Sequence, residues 1–120
     1  MSAKIAKLSE ILKRLEAESE VDGSALVTDR GQLMVAALHS DVDDKAISAM
    51  AAALMSIGNR VGAALNSGVP KNVVIEGTRK TVIVRKLEKV SLIATASNNS
   101  KIGLIDFEMD KAVAAIEEVL

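Results

Sequence analysis

The sequence predicts a three-layer α/β sandwich. Three observations predict it. The elements run in the order helix, two strands, helix, three strands, helix. All strand connections but one are short, so the sheet is mainly antiparallel. The strands are apolar on both sides, so helices are expected to cover both faces.

The chain has 120 residues, the normal size of one domain, and no linker, repeat or low-complexity tract divides it, so residues 1–120 are read as a single domain. About half of the residues (49%) are apolar, enough for a real core. The formal net charge is −1, which argues against nucleic-acid binding driven by phosphate contacts. Phe107 is the sole aromatic residue, so no base-stacking surface is available. The sequence contains no cysteine, so it has no disulfide framework and no thiolate metal site. No apolar run approaches the roughly 20 residues of a membrane span. The N-terminal stretch carries charges throughout, unlike a signal peptide. A cytoplasmic location is the resulting expectation.

Residues 3–18 form the first expected helix. Ile5, Leu8, Ile11, Leu12 and Leu15 make a narrow apolar stripe among Lys, Arg and Glu. Lys4, Lys7, Lys13 and Arg14 suggest a membrane-surface helix, but Glu10, Glu16, Glu18 and Glu20 favour simple packing on the chain's own sheet. Gly23 is expected to open a hairpin with strands Ser24–Thr28 and Gln32–His39. Its turn is Asp29-Arg30-Gly31, with Gly31 supplying the left-handed position. His39 has no second histidine and no cysteine to share a metal, so a surface or capping role is expected.

The central helix is expected over Asp43–Ser67, capped by Asp41, Asp43 and Asp44 and stopped at Gly68 before Pro70. Ile47, Met50, Ala51, Leu54, Ile57, Gly58, Val61 and Leu65 form an apolar stripe expected to face the core. Lys45, Ala49, Ala52, Ser56, Arg60 and Ala63 fall opposite it. Alanine is a good helix former, which alone accounts for some of them. Yet an exposed helix back usually carries far more charge, and small side chains admit a second backbone, so this face is read as a contact with a partner.

Three strands follow: Asn72–Glu76, Thr81–Leu87 and Val90–Ser97. They are rich in β-branched residues and joined by the Gly77–Lys80 loop and a short turn at Glu88-Lys89. Asn98, Asn99 and Ser100 are expected to cap the last helix. Its apolar positions Ile102, Ile105, Met109, Val113, Ile116 and Leu120 keep helical spacing, although Gly103 weakens the first turn.

Chemistry-bearing motifs are missing. The chain has no G-x-x-x-x-G-K-[ST] phosphate loop and no dinucleotide-binding Gly-x-Gly-x-x-Gly. Gly58 and Gly62 lie inside a helix, where the amides are already bonded, so packing is their expected role. One histidine cannot support a convincing Ser-His-Asp set. No active site is nominated and no cofactor or metal is expected.

The hairpin Ser24–His39 with its Asp29-Arg30-Gly31 turn is followed by a helix rich in small residues, with Ala46, Ala49, Met50, Ala51, Ala52 and Leu54. Then come the strand block NVVIEGTRKTVIVRKL and the closing run SNNSKIGLIDFEMDKAVAAIEEVL. In this combination, over roughly residues 5–120, the chain resembles the roadblock / dynein light chain family. The resemblance implies a five-stranded antiparallel sheet of order 2-1-5-4-3. The central helix would cover one face and the N- and C-terminal helices the other.

It also implies a homodimer whose third strands pair edge to edge and whose central helices lie side by side. The implied partner surface is Lys45, Ala49, Ala52, Ser56, Asn59, Arg60 and Ala63 on the helix, with Asn72, Val73, Val74, Ile75 and Glu76 on the strand. Family members regulate or scaffold small Ras-like GTPases, or serve as subunits of dynein and lysosomal signalling complexes. Some prokaryotic members accelerate GTP hydrolysis as dimers, the nucleotide belonging to the GTPase. The expectation is therefore a non-enzymatic homodimeric regulator or scaffold binding a small Ras-like GTPase, with a possible GTPase-activating role. A small-molecule sensor domain and a purely structural subunit of a larger complex are the alternatives. The near absence of aromatics argues against a specific small-molecule pocket.

Overall fold

The computed structural model of the chain describes residues 2–38 and 41–120. Three helices and five strands alternate as α1 (Ala3–Glu18), β1 (Val21–Thr28), β2 (Leu33–Ala37), α2 (Asp44–Ala64), β3 (Asn72–Glu76), β4 (Lys80–Lys86), β5 (Val90–Ser97) and α3 (Ile102–Val119). All neighbouring strands are antiparallel and the sheet order is β2-β1-β5-β4-β3, as expected.

The sheet has a core on each face. On one side Leu8, Leu12 and Leu15 of α1 and Ile105, Met109, Ala112 and Ile116 of α3 pack on Leu26, Ile83, Leu92 and Ala94. On the other side Ala51 and Met55 of α2 pack on Ala25, Val27, Val84 and Ile93. Alternate residues of one strand point to opposite faces, which is how Leu26 and Val27, or Ile83 and Val84, join different cores. The α1 stripe thus meets the sheet, which is the simple packing read from its mixed charges.

Local chemistry sets the element ends. Ser2 caps α1 by accepting the Ile5 amide at 3.2 Å. Asp43 caps α2, one carboxylate oxygen accepting the amides of Lys45 and Ala46 at 3.1 Å each. The β1–β2 turn closes through the Gly31 amide to the Thr28 carbonyl, with Gly31 at φ +83°.

Several boundaries differ from expectation. Strand β1 begins at Val21, so Gly23 lies inside it rather than ahead of it. The pairing with β5 shifts between Val21 and Gly23, and a Cβ at residue 23 would stand 3.1 Å from Thr95 Oγ1; the glycine marks an irregularity where two strands press close. Helix α2 ends at Ala64 with Leu65 as its C-cap, and the residue that turns the chain away is Asn66, not Gly68. Asn66 takes the left-handed conformation (φ 58°) and donates to the Ala63 carbonyl, while Ser67 donates to that of Gly62. That pair of bonds is a Schellman ending, which asparagine tolerates.

Nor do Asn98–Ser100 cap α3. The N-cap is Lys101, with no side-chain bond. Asn98 is engaged by the β3–β4 turn instead, donating to the Gly77 carbonyl at 2.6 Å and accepting from Thr81 Oγ1 at 3.1 Å. Strand β4 is shifted by one residue and spans Lys80–Lys86. Strand β2 is shorter than the expected Gln32–His39, spanning Leu33–Ala37; any role of His39 lies outside the described residues.

Candidate partner interface

Helix α2 is set on the sheet by its small residues. Ser48, Ala51, Met55 and Gly62 are its buried positions. The loop at Gly31 presses on the same region: a Cβ there would stand 3.2 Å from Ala49 Cα and 3.7 Å from Ala52 Cβ. At Gly58 a Cβ would lie 3.1 Å from Val73 Cγ2, and at Gly62 it would collide with the Gly68 carbonyl. The helix thus approaches its own sheet and loops where its surface is least bulky.

This corrects the expected core stripe. Ala51 of that stripe is buried, and Ile47, Leu54 and Gly58 are half-buried. Met50, Ile57, Val61 and Leu65 are instead 57%, 54%, 50% and 74% exposed. At about 100° per residue, the buried face is turned by roughly a quarter of a revolution from the stripe's centre. The expected stripe therefore straddles the edge of the core. Its small members face the sheet and most of its large members face outward.

The residues expected at the partner surface fall into three groups. Lys45, Ala49, Ser56, Asn59, Arg60 and Ala63 are exposed. Ala52 is half-buried and shares a cleft with Asp29, Met55, Lys86 and Ser91 of its own chain; Ser56 and Asn59 line that cleft too. On β3, Val74, Ile75 and Glu76 are exposed, while Asn72 and Val73 are half-buried. Val73 packs on the α2-side core, and Asn72 Oδ1 accepts a hydrogen bond from Arg85 Nε at 2.8 Å.

Sequence reading missed the outward members of the stripe as surface residues. A signal was present: the stripe carries bulk along one edge (Met50, Ile57, Val61) and small residues along the other (Ala51, Gly58). A helix lying close to a sheet selects the small edge.

The exposed apolar edge of α2 runs to the free edge of the sheet. Among the described residues strand β3 pairs only with β4, which leaves its outer edge open, and its Val74 and Ile75 are 48% and 43% exposed. Between helix and strand lies an open recess of about 340 Å³, lined by Leu54, Ile57, Gly58, Val61, Pro70 and Val73 among others. Chemically this region offers apolar burial and main-chain hydrogen bonding side by side. Among the described residues, no group of three or more His, Asp or Glu side chains is placed to hold a metal ion, and no helix is long and apolar enough to cross a membrane.

The fold is shared with solved structures. MglB of Myxococcus xanthus superposes with a TM-score of 0.90 at 17% identity, covering 100% of this chain and 95% of that one. The gliding protein mglB of Thermus thermophilus gives 0.86 at 14% identity, covering 99% and 92%. A Roadblock/LC7 domain from Streptomyces avermitilis gives 0.85 at 17% identity, covering 92% and 94%. At such identities the likeness is one of fold. No curated protein sequence matches the chain. The family model for the Roadblock/LC7 domain matches residues 7–97, most of the molecule, and the chain belongs to that family.

Proposed function

We propose that this protein is a homodimeric regulator or scaffold that binds a small Ras-like GTPase and carries out no nucleotide chemistry itself. One observation carries the reading. Large apolar side chains of α2 (Met50, Ile57, Val61, Leu65) stand exposed beside an unpaired strand edge bearing Val74 and Ile75. Apolar patches next to open edges are association surfaces in stable proteins and aggregation liabilities otherwise. A second copy satisfies both at once: β3 pairs with β3 across a two-fold axis, and the α2 edges pack on each other. A two-fold contact suits such a surface because each copy supplies the same elements.

Within this arrangement Asn72–Glu76 form the strand contact, while Lys45, Ala49, Ser56, Asn59, Arg60 and Ala63 lie on the far side of α2 and stay open to a further partner. Membership of the Roadblock/LC7 family supports the GTPase as the further partner, since members regulate or scaffold such proteins, and a possible activating role goes with it. The absence of a phosphate loop from the sequence supports placing the nucleotide on the partner. The proposed setting is the cytoplasm.

The test has two steps. Light scattering at micromolar concentration should give about twice the chain mass of 12.6 kDa. Titration with a Ras-like GTPase from the same genome, loaded either with GDP or with a non-hydrolysable GTP analogue, should show saturable binding in at least one state. The protein alone should bind no fluorescent guanine nucleotide. A monomer across the concentration range, or no binding to any such GTPase in either state, would overturn the corresponding half of the proposal.

A further inference from the structure

Arg85 is a buried charge that the reading above does not use. It lies on β4 between the core residues Ile83 and Leu87, beneath α3, and is 2% exposed. Burying a guanidinium is strongly unfavourable unless its donors are matched. Here each of its nitrogens has a partner: Nη2 donates to Asp106, Nη1 to Asp110, and Nε to Asn72 Oδ1 at 2.8 Å. Asp106 and Asp110 are four residues apart on α3, so both carboxylates descend from one side of the helix onto one fork. They stay partly solvated, at 44% and 53% side-chain exposure, so most of the desolvation falls on the arginine.

The third partner is the informative one. Asn72 is the first residue of β3 and the cross-strand neighbour of Arg85. Lys71, just before it, reaches the same Asp110 at 3.8 Å. Strand β3 is short, lies at the sheet edge and follows a segment in which Val69 is 85% exposed. Anchoring α3 alone would not require Arg85, because an apolar side chain under the helix would fill the same place; what the arginine adds is the tie to Asn72.

We infer that Arg85 is a positioning residue: tied to α3 by Asp106 and Asp110, it holds the start of β3 in the register that a second copy needs for edge pairing. This inference rests on the dimer proposed above. Arg85 is too buried to touch a partner, so any effect on association must pass through the strand it holds.

The experiment uses the full chain as wild type, Arg85→Lys, Arg85→Met and Asn72→Ala. Dimer dissociation is measured by light scattering over a dilution series, and hydrogen exchange is measured at the β3 amides bonded to β4. Lysine keeps the charge but lacks the fork, and methionine keeps the bulk but lacks the charge. Both should weaken the dimer by about tenfold or more and speed β3 exchange, while helical signal and exchange in α1 stay near wild type.

Should the arginine variants fail to fold, Asn72→Ala decides, because it removes the acceptor and leaves the α3 contacts in place. Faster β3 exchange with a weaker dimer supports the role. A dimeric wild type whose variants keep its dissociation constant overturns the role alone, whatever β3 exchange does. A monomeric wild type overturns the dimer and this role together.

Discussion

Two glycines of the helices face opposite fates on substitution. A Cβ at Gly62 would run into the Gly68 carbonyl, which is backbone and has little room to yield. A Cβ at Gly103 would meet nothing within 4 Å. Alanine has the better helix propensity at both sites, by roughly 1 kcal/mol. Gly103→Ala should therefore stabilise the fold by about 0.5–1 kcal/mol. Gly62→Ala should lose that gain to steric conflict and destabilise by about 1–3 kcal/mol. Urea unfolding of both variants at one protein concentration checks the pair, and equal shifts of the same sign would contradict it. Gly62 was legible in the sequence as a packing residue. What it packs against was not, because Gly68 is brought back only after Asn66 turns the chain through its left-handed conformation. Arg85 was not legible at all. In the sequence it is one basic residue of a strand, and the two aspartates that meet it lie more than 20 residues away.

At the scale of elements, α2 separates the two sides of its own surface by side-chain size. Val61→Glu and Ala52→Glu test that division. Residue 61 lies on the outward apolar edge, so a glutamate there should leave the monomer's core alone and place two like charges in the proposed helix contact. An unpaired charge buried in an apolar contact costs several kcal/mol, enough to turn a micromolar dimer into monomer. Ala52 is half-buried near the Gly31 turn, so glutamate there should cost fold stability first, by about 1–3 kcal/mol. Light scattering and thermal unfolding by circular dichroism, run together, separate the two. A Val61→Glu protein that keeps dimer mass would remove the outward edge from the interface. The helix itself, its aspartate cap and its apolar periodicity were readable from residue types. Its rotation was not, since three-and-four spacing defines a stripe but not which edge of it meets the sheet. That choice depends on Gly31 and Val73, which approach from outside the helix, and on Gly68, which the turn at Asn66 folds back onto it.

For the whole molecule, the strand order followed from the family resemblance, while the element order followed from hydrophobic periodicity and turn residues alone. A protein stabilised by self-association should melt at a temperature that rises with concentration. Thermal scans from about 1 to 100 μM should show that rise for wild type and its loss for Val61→Glu. A concentration-independent midpoint in wild type would point to a monomer. The strand order has a further result, concerning growth rather than stability. The sheet ends in β2 at one side and β3 at the other. The β2 side is irregular, its pairing with β1 shifting between Leu26 and Val27. If β3 met β2 of the next molecule, every addition would expose a fresh edge and the product would be an open filament. When β3 meets β3 across a two-fold axis, the inviting edge of each chain is consumed and only kinked edges remain outside. The ladder then terminates after two copies of the sheet, and a surface that would otherwise nucleate fibres sets its own size limit.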